Sequence, residues 1–343
     1  MDPPGNLGRW SLARLPTIRL RGFTPKRPLP DYCRSWGGQD ALAQLLTLSR
    51  PEAETLLSLC AAALSLYPAW ERQSWMMPEP DAALQVHGGA YLNLEALALR
   101  LGGVRHHTGR HSYLHAPTGL AFAAHQDALS RVTLVLGGTN SGHTDSQPRT
   151  FPAEVQQLRA NVLNVTGWVP RLYRAADLLT LLLRSELARG GTGSPGSPER
   201  SLTLTGHSLG GGLAQYAGLM NGVPVLAFGP VALGRGVLAL LDRAGRLSGA
   251  AAVLAQVKSY SLYGDPIPTI GTGWWQSCVV GEHLRLPLSP EVPPARYATS
   301  HGQIYSHLAA HLRQKWPGLR DATERKAGAV TQTQGLDPEQ HKP

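Results

Sequence analysis

The chemically most telling stretch of this chain is Gly206-His207-Ser208-Leu209-Gly210, a serine with a glycine two residues to either side. A serine hydroxyl is a poor nucleophile at neutral pH. It becomes a good one when a strained turn lifts it clear of a sheet and an imidazole is placed to take its proton. The glycines permit that turn, because side chains two residues away on either side would collide. Leu202-Thr203-Leu204-Thr205 before it reads as a buried strand, and the apolar run after it reads as a helix. The first amides of that helix, with the positive end of its dipole, would face an oxyanion, and Leu209 supplies one of them.

Three further positions complete a candidate constellation. Asp265, in Tyr263-Gly264-Asp265-Pro266 after a hydrophobic strand, is the candidate acid that orients an imidazole. Ile267 and Ile270 are expected to shield it from water. His301 is the candidate base, because it precedes a helix behind Thr299 and Ser300, whereas His307 and His311 lie within the helical run. Thr139, in Gly137-Gly138-Thr139-Asn140 at the exit of a strand, can offer a backbone N–H and a hydroxyl to the same oxyanion. A buried carboxylate would fix the imidazole tautomer, and the imidazole would take the serine proton during attack on an ester carbonyl.

Positioning these groups requires a sheet whose strands end at one rim. Strands are predicted over 119–125, 131–136, 224–228, 257–262 and 282–286, besides the one leading to Ser208. Helices are predicted within 40–66, 93–101, 152–165, 168–189 and 237–247. In the first of these helical stretches Pro51 stands at a first helical position behind Ser49. The alternation implies an α/β fold with a mostly parallel sheet, flanking helices and right-handed crossovers, its ligand site at the carboxyl ends of the strands. Ser208, Thr139 and Asp265 all fall at such ends. The organisation expected is a basic, proline-rich, disordered segment over 1–30, a helical extension or cap over 31–115, a catalytic core over 116–316 and a polar disordered tail over 317–343.

Composition narrows the field. With 343 residues, 42% of them hydrophobic, the chain can bury a substantial core, and no apolar run is long enough to span a membrane. The net charge of +9 comes from scattered basic residues without a nucleic-acid motif, and it suits peripheral contact with an anionic membrane. The N-terminal segment lacks the apolar core of a Sec signal, so the expected location is the cytoplasm, a non-Sec export route or an organelle reached by a transit peptide. Cys33, Cys60 and Cys278 are few, odd in number and far apart, which argues against a disulfide scaffold or a cysteine metal site. Cys60 reads as a small core residue. His106, His107, His111 and His115 crowd ten residues, yet with no carboxylate or cysteine among them the expectation is a polar lip beside the cleft and no metal. The loop from Trp70 to Pro80, with Trp75, Met76 and Met77, reads as packing against the N-terminal helices, with a lid over the site as the alternative.

From Thr118 to His311 the chain resembles the class 3 lipases of the α/β-hydrolase superfamily. The resemblance is carried by LTLTGHSLGGGLAQYAG, VLAFGP, SYSLYGDPIP and SHGQIYSHL, and by the chain order Ser208, Asp265, His301. It implies an α/β-hydrolase-like fold, a triad of those three residues, Thr139 and Leu209 in the oxyanion hole, no cofactor, and hydrolysis of acylglycerol or phospholipid esters. Where that family usually has an arginine before its Gly-Thr pair this chain has Gly137. The alternative to an esterase is a catalytically inert binding or regulatory module on the same fold.

Overall fold

The computed structural model describes residues 18–19, 31–75, 90–102, 104–107, 112–127, 129–141, 151–190, 201–272, 277–293 and 300–319. Ten strands form the main sheet: β1 (Cys33–Gly37), β2 (Ala90–Tyr91), β3 (Val104–His107), β4 (Ser112–His115), β5 (Leu120–Gln126), β6 (Val132–Leu136), β7 (Leu202–His207), β8 (Val225–Phe228), β9 (Val257–Leu262) and β10 (Gly281–Leu286). Their spatial order is β1-β10-β9-β8-β7-β6-β5-β4-β3, with β2 on the far end of β5. Pairs from β1 through to β6 are parallel and the rest antiparallel, so the sheet is mixed.

The inner parallel strands are mostly buried on both faces, and β6 and β8 read as nearly continuous apolar runs, as doubly covered strands do. Alternation still assigns the faces. Ala227 joins the core cluster beneath α6 (Arg171–Gly190) and α7 (Leu209–Asn221), while its neighbour Phe228 joins the cluster beneath α2 (Arg50–Leu64) and α10 (Ile304–Lys315). Residues 31–115 therefore supply part of this same unit. They contribute the edge strand β1, the antiparallel strands β2 to β4, and helices α1 (Gly38–Leu45), α2, α3 (Ala69–Ser74) and α4 (Glu95–Leu101). At the start of α2 the Ser49 N–H and hydroxyl both donate to the Glu52 carboxylate, at 2.8 and 2.6 Å, with Pro51 in the first turn.

Several boundaries differ from expectation, for local reasons. Trp168–Val169 is a short strand paired with Ile18–Arg19 and not the start of a helix, because Pro170 biases the residue before it to extended backbone. Helix α8 covers Arg235–Arg243 and stops before Gly245, whose φ of +67° the helix cannot continue through. Between α8 and β9 lies a further short helix, α9 (Ala250–Gln256). Cys33 and Cys278 meet in a disulfide that closes 245 residues of chain, contrary to the expectation from their number and spacing. Cys60 is a fully buried core residue. No helix among the described residues is long and apolar enough to cross a membrane.

A set of buried histidines predicts a stability that depends on pH. Burial holds His125 down to about 3 and His115, His283 and His307 down to about 4, each from 6.5. The unfolded chain takes up protons as pH falls below about 6.5 and the folded chain does not, so stability is full above that value and declines below it. Urea midpoints measured between pH 8 and pH 4 are expected to fall steadily below pH 6.5. A midpoint flat down to pH 4 would show that these rings protonate in place.

Candidate active site

Strand β7 delivers Ser208 into the turn before α7, and the serine adopts φ 57° and ψ −124°. For an L-residue this left-handed backbone costs on the order of 1–3 kcal/mol, a cost tolerated where surrounding structure enforces it. Enforcement is visible: the Ser208 N–H donates to Phe228 O at 3.0 Å, and Ser208 O accepts from Val231 N at 2.9 Å and Gly212 N at 3.2 Å. Close packing dictates the flanking glycines. A Cβ on Gly210 would lie 2.1 Å from Leu136 O, and one on Gly206 would lie 2.4 Å from the Gly210 carbonyl.

Asp265 sits in the turn after β9 and is only 2% exposed. One carboxylate oxygen, Oδ1, accepts the Ile267 N–H at 3.0 Å, and Oδ2 lies 2.7 Å from His301 Nδ1. Ile270, expected to shield the carboxylate, is 46% exposed, because the turn after Pro266 carries it outward. Cover comes instead from His301 and from Gly229, which has φ +48° and lies beneath the pair, where a Cβ would stand 2.8 Å from His301 Cε1. His301 belongs to a short 3-10 turn, Ser300–Gln303, that leads into α10. A carboxylate at Nδ1 places the proton there and leaves Nε2 with its lone pair. That nitrogen is buried and makes no hydrogen bond among the described residues. The structure thus joins Asp265 to His301 and sets both beside the Ser208 turn, but no hydrogen bond links Ser208 to His301.

Thr139 lies in the loop leaving β6, and helix α5 (Phe151–Val165) anchors that loop. Asn161 Nδ2 donates to Thr139 Oγ1 at 3.0 Å, Gln157 Oε1 accepts the Asn140 N–H at 2.9 Å, and Gln157 Nε2 donates to Gly119 O and Ser141 O. Asn140 Nδ2 reaches Glu71 on α3 at 3.1 Å. Gly137 leaves no room for a side chain, since a Cβ there would lie 2.2 Å from Ser141 Oγ. Asparagine and glutamine side chains therefore hold the loop. The Thr139 and Leu209 amides have no hydrogen-bond acceptor among the described residues, and Leu209 opens α7.

No family model matches this chain, and no curated protein matches it. Two solved structures are similar in outline. Lipase II from Rhizopus niveus has 12% sequence identity and a TM-score of 0.41, over 68% of this chain and 81% of the other. A lipase from Rhizopus microsporus var. chinensis has 13% identity and a TM-score of 0.41, over 77% of this chain and 87% of the other.

Near the site, Tyr67 carries no signal in the sequence pattern, whereas Trp75 belongs to the stretch expected to pack against the N-terminal helices. Tyr67, at the end of the α2 run, and Trp75, after α3, pack edge-on with ring centroids 5.0 Å apart, and both lie against His207. Trp75 is thus buried against Gly302, and residues up to Ser74 of the expected loop form helix α3 instead, whereas Met76 to Pro80 lie outside the described residues. Among the clustered histidines, His115 is buried with Nδ1 2.7 Å from Thr118 Oγ1, and the side chains of His106, His107 and His111 lie outside the described residues.

Proposed function

We propose that this protein is a serine-dependent carboxylic ester hydrolase of the class 3 lipase type, acting on lipid esters such as acylglycerols or phospholipids. The observation that carries the reading is the buried Asp265–His301 pair, with an unbonded Nε2, in the same part of the fold as the strained Ser208 turn at the start of α7, since the His301 ring packs on the adjacent His207. In the proposed cycle Ser208 Oγ attacks the ester carbonyl carbon while His301 Nε2 takes the hydroxyl proton. The Leu209 and Thr139 amides hold the oxyanion, each contributing on the order of 3 kcal/mol to the transition state. Collapse of the tetrahedral intermediate breaks the ester C–O bond, and the His301 proton leaves with the alcohol. Water, deprotonated by His301, then cleaves the acyl-enzyme to the free acid and restores Ser208.

The lipid assignment draws on the surface around this rim. Tyr263, two residues before Asp265, is 58% exposed, and Leu158 (60%) and Val162 (57%) lie exposed along α5, the helix that anchors the Thr139 loop. Exposed apolar side chains next to the acid turn and on the helix that anchors the Thr139 loop suit an apolar, interfacial substrate better than a water-soluble one, and the excess of basic residues suits an anionic lipid surface. A fluorophosphonate probe, which traps an activated serine, is expected to modify Ser208 in the folded protein, as read by peptide mapping. A folded protein that resists the probe would instead be a binding module on this fold.

A further inference from the structure

Tyr67 Oη lies 3.0 Å from His207 Nδ1, and His207 Nε2 lies 3.1 Å from the backbone carbonyl of His301. The hydrogen positions in this chain follow from chemistry. A carbonyl only accepts, so His207 Nε2 carries the proton. The His207 ring is buried with its centroid 4.3 Å from that of the His301 ring, tilted 33° to it, and burial together with that neighbour keeps it neutral. Its Nδ1 is therefore an acceptor, and Tyr67 donates to it. The His207 backbone carbonyl lies 3.4 Å from the same phenol oxygen, so the hydroxyl is held against both the ring and the backbone of the residue before Ser208.

The same oxygen presses on the loop that carries Thr139. A Cβ on Gly138 would lie 2.0 Å from Tyr67 Oη and 2.6 Å from His207 O, so phenol, loop and nucleophile turn meet at one point. Tyr67 itself comes from the N-terminal part of the chain, 140 residues before His207, and is only 4% exposed. Nothing in the proposed chemistry calls for a phenol there, and with its proton committed to His207 it is not an oxyanion donor.

We propose that Tyr67 is a positioning residue which, through the His207 ring, locks the Ser208 turn, the Gly138 loop and the His301 loop into one geometry. The inference rests on the reading of Ser208 and His301 given above, and it adds the device that holds them in register.

Tyr67→Phe removes one oxygen from a buried ring and leaves the packing intact. Loss of one hydrogen bond's worth of alignment predicts a fall of about tenfold in kcat and in the rate of fluorophosphonate labelling. KM is expected to stay within about twofold, since no substrate contact is lost. His207→Phe interrupts the same chain, so the double variant should be no slower than the slower single one. Labelling of Tyr67→Phe at the wild-type rate overturns the proposal, and so do losses that multiply in the double variant. A readout independent of turnover is the downfield proton resonance of His301 Nδ1 in its bond to Asp265. It should shift or broaden in Tyr67→Phe, whether or not Ser208 proves to be a nucleophile, and an unchanged resonance overturns the proposal.

Discussion

Ser208→Ala is expected to lower kcat toward p-nitrophenyl esters by on the order of 10⁵- to 10⁶-fold, the scale reached when a nucleophile of this kind is deleted. The fold should survive, because alanine also has a Cβ and bears the same strain at φ 57° as serine does. Melting temperatures of the two proteins should therefore agree within a few degrees. What turnover remains would come from the Leu209 and Thr139 amides acting on bound substrate without a covalent step. Retained activity across an acyl-length series would remove Ser208 from the mechanism. An equal loss in a protein whose melting temperature had also collapsed would trace the effect to folding.

The second large effect is Asp265→Asn, where the hydrogen-bond geometry fixes the sign. Asp265 Oδ1 accepts the Ile267 N–H and Oδ2 accepts the His301 Nδ1–H, so the aspartate is acceptor-only on both sides. An asparagine keeps its oxygen toward the Ile267 amide and turns its NH₂ group to the imidazole. The ring must then take the other tautomer, with the proton on Nε2, and it can no longer receive a proton from Ser208. A fall in kcat of about 10³- to 10⁴-fold is expected. In the wild type the His301 Nδ1 proton should give a downfield resonance that is lost in Asp265→Asn. An Asp265→Asn protein with near-normal kcat would show that the carboxylate is only structural.

Much of the architecture is legible in the chain itself, because short-range chemistry sets it. The strands over 131–136 and 224–228 announce themselves as apolar runs between turns, and Ser49 with Glu52 and Pro51 marks the start of a helix. Gly206 and Gly210 betray a turn so tight that neither tolerates a side chain. Edge strand β1, Cys33–Gly37, is not legible: only Trp36 in it is bulky and apolar, and it is a strand because β10 pairs with it. The same holds for Trp168–Val169, where the helix expected from Trp168 starts only at Arg171, beyond Pro170.

At the site the division falls along similar lines. Residue type and neighbours mark Ser208, Asp265 and His301 as candidates, because a glycine-flanked serine, an aspartate in a strand-ending turn and a histidine ahead of a helix are local features. That Asp265 Oδ2 and His301 Nδ1 stand 2.7 Å apart, that Gln157 and Asn161 hold the Thr139 loop, and that Cys33 reaches Cys278 are decided by tertiary structure alone. So is the contact that brings Tyr67 to His207 across 140 residues. Local sequence fixes the backbone strain and hydrogen-bonding capacity of each group. Which groups meet depends on how helices close over the two faces of the sheet, and that is written in the summed burial of residues far apart in the chain.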